Sequence, residues 1–202
     1  MTLFDTSYNA ETRINDLTAQ GESFKSLTFQ DCAFTHCALT ECTFEACVFE
    51  TCTFTGCDLS LTRLPRTRFK DVIFKDCRLM GVNWCDADWD TGRLLAPRHV
   101  DFERCLLDHS IFMGLKLAGT RFTGCQARNL DFEGADLSRA DFTGTDLAST
   151  RFAGCDLTET NFAGAENYQI NAAENTLHKT KFSLPEAISL LHSLDIVIED
   201  SY

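Results

Sequence analysis

The dominant feature of this sequence is an apolar residue that recurs every five positions along most of the chain. Phenylalanine or leucine usually holds this central position from Phe24 onward. Trp84 and Trp89 carry the series to Leu94, and it resumes in a shifted phase at Phe102. Sixteen of the 17 phenylalanines occupy the central position. A period of five fits neither one face of a helix nor one face of a strand, so the chain is expected to turn once per repeat.

Two other residue types follow the same five-residue frame. Ten of the 11 cysteines lie two positions before a centre, and ten of the 11 glycines lie two positions after one. A centre and the residue two positions before it share one parity, so both point inward along a short extended segment. Glycine tolerates the positive φ of a corner. An Asp just before the centre, as at Asp136 and Asp141, suits a local bond from side chain to backbone.

Recurrences over 20 residues set the size of one coil. Two series have this interval: Leu117, Leu137, Leu157 and Leu177, and Phe102, Phe122, Phe142, Phe162 and Phe182. Four five-residue sides close one coil, and stacked coils place like residues over one another about 4.8 Å apart. We therefore predict an all-β fold for residues 1–183, a quadrilateral β-helix that completes one coil every 20 residues.

The repeat is interrupted in two places. Thr91–Val100 contains Gly92, Pro97 and the shift of phase. This stretch is interpreted either as a loop that leaves the rod or as a register correction between two stacks of coils. Asn167–Thr176 offers no apolar centre except Ala172, which indicates either a degraded coil or a second loop.

The C-terminal segment, residues 184–202, has a different pattern. Ser183 and Glu186 have the spacing of a capping box, and Pro185 suits a first helical turn. An apolar stripe then predicts a helix, followed by a short strand. The segment is expected to cap the open end of the rod and to join two copies end to end. The residues predicted at this dimer interface are Leu184, Ile188, Leu191, Leu194, Ile196 and Ile198.

The positions of the reactive residues argue against an enzyme. Cysteines spaced by five would be buried among phenylalanines as small apolar residues, rather than gathered at a metal or in disulfides. Cys85 lies outside the frame and is expected to face solvent. The five histidines have no ligand spacing, and the sequence contains no nucleotide-binding or nucleophile motif. We expect no catalytic residue, no metal site and no cofactor.

Charge and hydropathy favour a basic protein as the partner. The net charge of −12 argues against direct binding of nucleic acid. No apolar run is long enough to span a membrane, and the N-terminus lacks a secretory pattern, which predicts a cytoplasmic protein.

The 20-residue period gathers carboxylates on one wall of the rod, with Lys70 interpreted as its only base. This wall and the neighbouring loop form the predicted partner-binding surface. An equally open interpretation is a solvated wall that only aids solubility. The residues predicted to bind the partner are Asp31, Glu50, Asp71, Asp88, Asp90, Arg93 and Arg98.

Two consecutive frames carry a resemblance to a known family. Ala135–Arg139 and Ala140–Gly144 resemble the A-(D/N)-(L/F)-x-x consensus of pentapeptide-repeat proteins. The resemblance covers residues 14–182 and implies that the predicted quadrilateral β-helix is right-handed.

A narrower resemblance lies in the tail. Phe182–Ile196, together with Gly81–Trp84 and Trp89, resembles the topoisomerase-protecting group of that family, which includes quinolone-resistance, microcin-immunity and albicidin-immunity proteins. This resemblance implies a homodimer, joined through the tails, that binds DNA gyrase as a DNA-like rod and relieves a gyrase poison. The basic stretch Arg63–Arg78 departs from a uniformly acidic rod. The alternative function is a scaffold for another protein partner.

Overall fold

The computed structural model describes residues 7–89, 99–194 and 196. The backbone forms a β-solenoid of about eight coils, which confirms the predicted fold class. Most repeats contribute one short strand or an isolated bridge, followed by a corner. The strands are β1 Tyr8–Ala10, β2 Arg13–Asn15, β3 Ser23–Lys25, β4 Thr28–Gln30, β5 Ala33–Thr35, β6 Thr43–Glu45, β7 Val48–Glu50, β8 Thr53–Thr55, β9 Arg68–Lys70, β10 Val72–Lys75, β11 Val100–Glu103, β12 Phe122–Thr123, β13 Asn161–Phe162 and β14 Lys181–Phe182.

The walls of the solenoid are parallel ladders between successive coils. One wall is the sheet β1-β4-β7-β9, and the next is the sheet β12-β11-β10-β8-β5-β2. Shorter pairs, β3-β6 and β13-β14, and isolated bridges continue the walls along the rod. Phe29 pairs with Phe49 and Phe34 pairs with Phe54, so each residue faces its equivalent 20 positions later. This register is the one that the 20-residue recurrence predicts.

Columns of aromatic rings fill the interior. The Phe122 ring stacks between those of Phe102 and Phe142, with centroid distances of 5.1 and 4.9 Å. It also meets Phe112 and Phe132 edge to face, at 5.6 and 5.5 Å. Stacked and edge-to-face contacts are the favoured geometries of aromatic pairs. The five-residue period therefore builds one continuous core along the rod.

Small inward residues satisfy backbone groups that would otherwise be buried and unpaired. The Cys57 Sγ accepts a hydrogen bond from the Cys37 N–H at 3.3 Å and donates one to the Phe34 carbonyl at 3.5 Å. A threonine serves equally well, since the Thr67 hydroxyl donates to the Phe44 carbonyl at 2.6 Å. Because buried backbone groups need partners, cysteine and threonine at this position both pack and bond.

The corners have the geometry that the glycines predict. All ten glycines that follow a centre have positive φ, and 20 non-glycine residues of the described chain adopt it as well. The coil itself therefore imposes the corner, and glycine lowers its cost. The predicted bonds beside the centre are also present. The Asp136 Oδ1 accepts the Ser138 N–H, and the Asp141 Oδ1 accepts the Thr143 N–H, both at 3.0 Å.

The shift of phase corresponds to eight additional residues in one coil. Val72 pairs with Val100, an offset of 28 where every other strand pair has an offset of 20. The Phe74 and Phe102 rings nevertheless stack at 5.5 Å, so the core continues across this point. Val100 is buried in β11, which shortens the predicted Thr91–Val100 loop at its end. Residues 90–98 lie outside the described residues.

The Asn167–Thr176 stretch is a coil rather than a loop. Tyr168 and Ile170 are buried in the core, so the assignment of Ala172 as its only apolar centre was wrong. The Ile170 backbone bridges to Phe152, 18 residues earlier, which takes it out of the five-residue frame. The Asn175 side chain then restores the register, because its Oδ1 accepts the Cys155 N–H at 2.8 Å.

A 3₁₀ helix, Glu186–Leu194, follows the last strand and covers this end of the rod. Leu190 packs against the core. The predicted capping box takes a different form, because the Ser183 hydroxyl accepts the Gly164 N–H at 2.9 Å while the Ser183 carbonyl accepts the Ala187 N–H at 3.1 Å. No helix of the described chain has the length and apolar character needed to cross a bilayer.

The thiols fall into the two predicted groups. Ten free cysteines are buried and only Cys85 is exposed. Desolvation raises the pKa of Cys52 to about 12, and hydrogen bonding to the next thiol, Cys105, raises that of Cys77 to about 12. Thiolate is the reactive form, so the interior thiols are unreactive on two counts, burial and protonation.

We expect a thiol reagent at pH 8 to modify one cysteine in the folded protein and all eleven in denaturant. Mass spectrometry of the labelled chain measures both counts. The variant Cys85→Ser is the control, and its folded form should take up no label. Rapid labelling of several cysteines in that variant would contradict the closed core.

Candidate partner-binding surface

The predicted acidic wall is the outer face of the sheet β1-β4-β7-β9 together with Asp88. Phe29, Phe49 and Phe69 are its buried centres, and Trp89 packs against the core from the next position. The Trp89 Nε1 donates to the Trp84 carbonyl at 2.7 Å, which fixes the ring at the end of this wall. The wall thus ends where the eight additional residues begin.

Ion pairs neutralise part of this wall. Lys70 bonds to Glu50, and the Arg68 Nε lies 2.6 Å from the Asp88 Oδ2. Arg68 occupies the wall position equivalent to Val48, so the assignment of Lys70 as the only base was wrong. Exposed pairs of this kind contribute about 0–1 kcal/mol to stability. Their larger consequence is that Glu50 and Asp88 already have basic partners.

A column of corner residues carries the remaining negative charge. Glu11, Asp31, Thr51 and Asp71 follow one another at 20-residue intervals, all exposed, with φ between 49° and 53°. The ion pairs of the described chain involve none of the three carboxylates in this column. We call these four residues the acidic edge. Glu11 was missed in the sequence, although its spacing from Asp31 would have revealed it.

The acidic edge leads directly to the insertion. Val72 pairs with Val100, so His99 continues the column after Asp71. The eight additional residues therefore enter the coil between the acidic wall and its neighbour, at the same edge as the carboxylates. Three predicted binding residues, Asp90, Arg93 and Arg98, lie outside the described residues.

Elsewhere on the rod, many acids are paired with bases one coil away. Arg104 contacts Asp76 at 2.7 Å, and this hydrogen bond lowers the pKa of Asp76. The hydrogen bond from Lys25 lowers the pKa of Glu45, with a smaller contribution from Arg66. The basic stretch of the sequence is thus largely engaged with carboxylates of adjacent coils.

Apolar side chains are exposed at the C-terminal end. Leu184 is 79% exposed and Leu194 is 48% exposed. Ile188, Leu191 and Ile196 are exposed as well, whereas Leu190 faces the core. The predicted interface residues therefore present an apolar surface at one end of the rod, apart from Ile198, which lies outside the described residues. Contiguous exposed apolar groups are typical of an interaction surface.

The described residues contain no group of three or more His, Cys, Asp or Glu side chains that could hold a metal ion. The geometry offers two surfaces for binding instead: a charged edge along the rod and an apolar end. Both are suited to contacts with macromolecules.

The fold and these surfaces define a class, that of solenoid rods built from five-residue repeats. A family model described as a pentapeptide repeat region matches residues 27–112 and 97–162, which together exceed half of the chain. The chain belongs to the pentapeptide-repeat family.

Solved structures show the same fold at low sequence identity. A trypsin-treated variant of QnrB1, a plasmid-mediated fluoroquinolone resistance protein, matches with a TM-score of 0.50 and 18% identity, over 95% of this chain and 97% of that one. Full-length QnrB1 matches with a TM-score of 0.42 and 15% identity, over 94% and 100%. HetL, a pentapeptide repeat protein involved in heterocyst differentiation regulation from the cyanobacterium Nostoc sp. strain PCC 7120, gives a TM-score of 0.30 and 15% identity, over 85% and 87%. Among curated proteins, none matches this sequence significantly.

Proposed function

We propose that this chain is a cytoplasmic, non-catalytic protein that binds DNA gyrase in place of DNA and protects it from a poison of the albicidin or quinolone type. The observation that carries the proposal is the acidic edge, in which Glu11, Asp31 and Asp71 lie along one side of a straight rod. A regular line of negative charge is the property that such a rod shares with a DNA backbone.

The charge spacing sets how tightly the rod can compete with DNA. Coils stack about 4.8 Å apart, whereas B-DNA carries one charge per about 1.7 Å. One carboxylate per coil therefore gives about a third of the DNA charge density. Such a rod enters a basic groove with fewer ionic contacts than DNA makes, so its binding is reversible and DNA can regain the site. Reversibility is what a protective protein requires, because gyrase must resume its work.

Two further facts support the proposal. The Phe182–Ile196 tail resembles the topoisomerase-protecting proteins in sequence, and its apolar residues are exposed for contact with a second copy. A rod of the same fold, QnrB1, is a fluoroquinolone resistance protein.

Competition for gyrase tests the proposal. A fluorescent DNA duplex bound to gyrase should be released as this protein is added, with a loss of anisotropy. The release should weaken as salt is raised, since the Debye length falls from about 10 Å at 0.1 M to about 3 Å at 1 M. Persistence of the DNA complex at a hundredfold excess of the rod would argue against occupation of the DNA site.

The tail provides a separate prediction about assembly. Leu191→Asp is expected to convert a dimer into single chains of 22.7 kDa, because it places a charge in the apolar contact between two tails. Sedimentation velocity measures the change. Leu61→Asp is the matched control, since Leu61 is 53% exposed on the side of the rod and should remain dimeric. Equal sedimentation of both variants as dimers would exclude the tail as the interface.

A further inference from the structure

A cleft of about 750 Å³ lies between the last complete coils and the 3₁₀ helix. Ser149, Gln169 and Asn171 line it from the coils, and Glu186 and Ser189 line it from the helix. Its volume lies within the range of small-ligand sites. Its lining is largely polar, which favours a polar or charged occupant over an apolar one.

Two hydrogen bonds hold the helix over the cleft. The Ser189 hydroxyl donates to the Tyr168 carbonyl at 3.4 Å, and the Ala172 N–H donates to the Ser193 hydroxyl at 3.1 Å. The helix is thereby anchored by side chains that also form the walls of the cleft. Its residues are placed by the fold rather than by a ligand.

The charges around the cleft are negative. Glu186 is the only charged residue of the lining, which contains no Lys, Arg or His. Glu166 and Glu174, on the same coil, are exposed nearby. A cleft walled by a carboxylate and hydroxyl and amide groups is complementary to a cation that donates several hydrogen bonds.

Tyr168 supplies an independent sign of an occupant. Its ring packs against Phe162 and Phe182, at centroid distances of 5.7 and 5.6 Å, and the residue is 1% exposed. Within the described chain its hydroxyl is buried without a hydrogen-bond partner. Burial raises the pKa of this hydroxyl and the Glu186 carboxylate raises it further, so the two groups act on one another. A buried hydroxyl without a partner is unfavourable unless a ligand or water satisfies it.

We propose that this cleft binds a guanidinium or ammonium group, held between the Glu186 carboxylate and the Tyr168 hydroxyl. The N–H groups of the cation donate to both oxygens, and Gln169 and Ser149 provide further polar contacts. The cation belongs either to an Arg or Lys side chain of a protein or to a small organic amine. The inference is independent of the proposed gyrase contact, because it uses neither the acidic edge nor the insertion.

An NMR titration tests the cleft with N-acetyl-arginine amide as the probe. Amide signals of residues 168–171 and 186–189 are expected to shift in a saturable manner. N-acetyl-citrulline amide, which has the same shape without the charge, should produce no such shift. Equal shifts with both compounds, or none with the arginine compound at 20-fold the protein concentration and above, up to about 20 mM, would overturn the proposal.

Three variants locate the binding groups. Glu186→Gln should weaken binding about tenfold or more, since it removes a charged acceptor. Tyr168→Phe should weaken binding while leaving the thermal transition unchanged or higher, because the lost hydroxyl has no partner in the folded chain. Glu174→Gln, outside the lining, is the matched control and should bind as the parent does. Unchanged binding in both Glu186→Gln and Tyr168→Phe would refute the site.

A final comparison identifies the source of the cation. A ten-residue peptide with one central arginine that binds at least tenfold more tightly than the free amide would assign the cleft to a protein side chain. Equal affinities would assign it to a small amine, and either result retains the proposed chemistry.

Discussion

Phe122→Ala is expected to lower the free energy of unfolding by about 3–5 kcal/mol, the usual cost of removing a fully buried aromatic side chain. Phe122 is 0% exposed and its ring contacts four other rings, two stacked and two edge to face. The backbone around it is fixed by coils above and below, so the site cannot collapse to fill the cavity. Urea denaturation followed by circular dichroism measures the loss.

Leu61→Ala is the control for this core variant. Leu61 is 53% exposed at a corner, so its truncation should change stability by less than about 0.5 kcal/mol. Repeat rods can unfold in segments, so transitions should be compared by midpoint as well as by extrapolated free energy. Equal losses in the two variants would contradict a closely packed aromatic core.

Reversing the charges of the acidic edge is expected to abolish competition with DNA. The triple variant Glu11→Lys, Asp31→Lys and Asp71→Lys should weaken gyrase binding at least about tenfold at 0.1 M salt, because a basic groove then meets a basic edge. The corner conformation tolerates the change, since Arg66, Arg104 and Lys179 adopt it naturally. Glu50 is left unaltered, since it is paired with Lys70.

A second triple variant separates position from total charge. Asp16→Lys, Glu41→Lys and Glu159→Lys make the same change in net charge at exposed corners outside the acidic edge. This control should retain most of the affinity. Anisotropy competition in parallel gives both values. If the two triple variants lose equal affinity, net charge is the cause and the acidic edge is not the contact.

The repeated part of the fold could be predicted because every coil satisfies one simple rule. A buried centre, a small inward residue and a corner recur in register, so Phe34, Phe54 and Phe74 stack as the period requires. The rule fails at Tyr168 and Ile170, where an asparagine amide replaces a small inward side chain. Hydrogen bonds of this kind restore the register without leaving a period in the sequence.

The insertion and the tail were predictable only in outline. A shift of phase by three fixes the number of additional residues only to within multiples of five, and the Val72–Val100 pair gives eight. The apolar stripe predicted a helix and its exposed face, but the choice of a 3₁₀ helix depends on how Leu190 and the last coil pack together.

The candidate site was predicted in part. Asp31 and Asp71 emerged from the 20-residue period, and the same period applied to residue 11 yields the third carboxylate. The neutralisation of Glu50 and Asp88 was missed, because Arg68 was not assigned to its wall. Pairing between adjacent coils becomes visible only when every outward position, including the residue before each centre, is aligned by 20.

Gyrase supercoiling with this protein titrated in, with and without albicidin or a quinolone, tests the central claim most directly. The account predicts that the protein restores supercoiling in the presence of at least one of these poisons, and that the acidic-edge variant does not. Failure to restore activity with either poison, together with no inhibition in their absence, would contradict it and favour a scaffold that binds another protein.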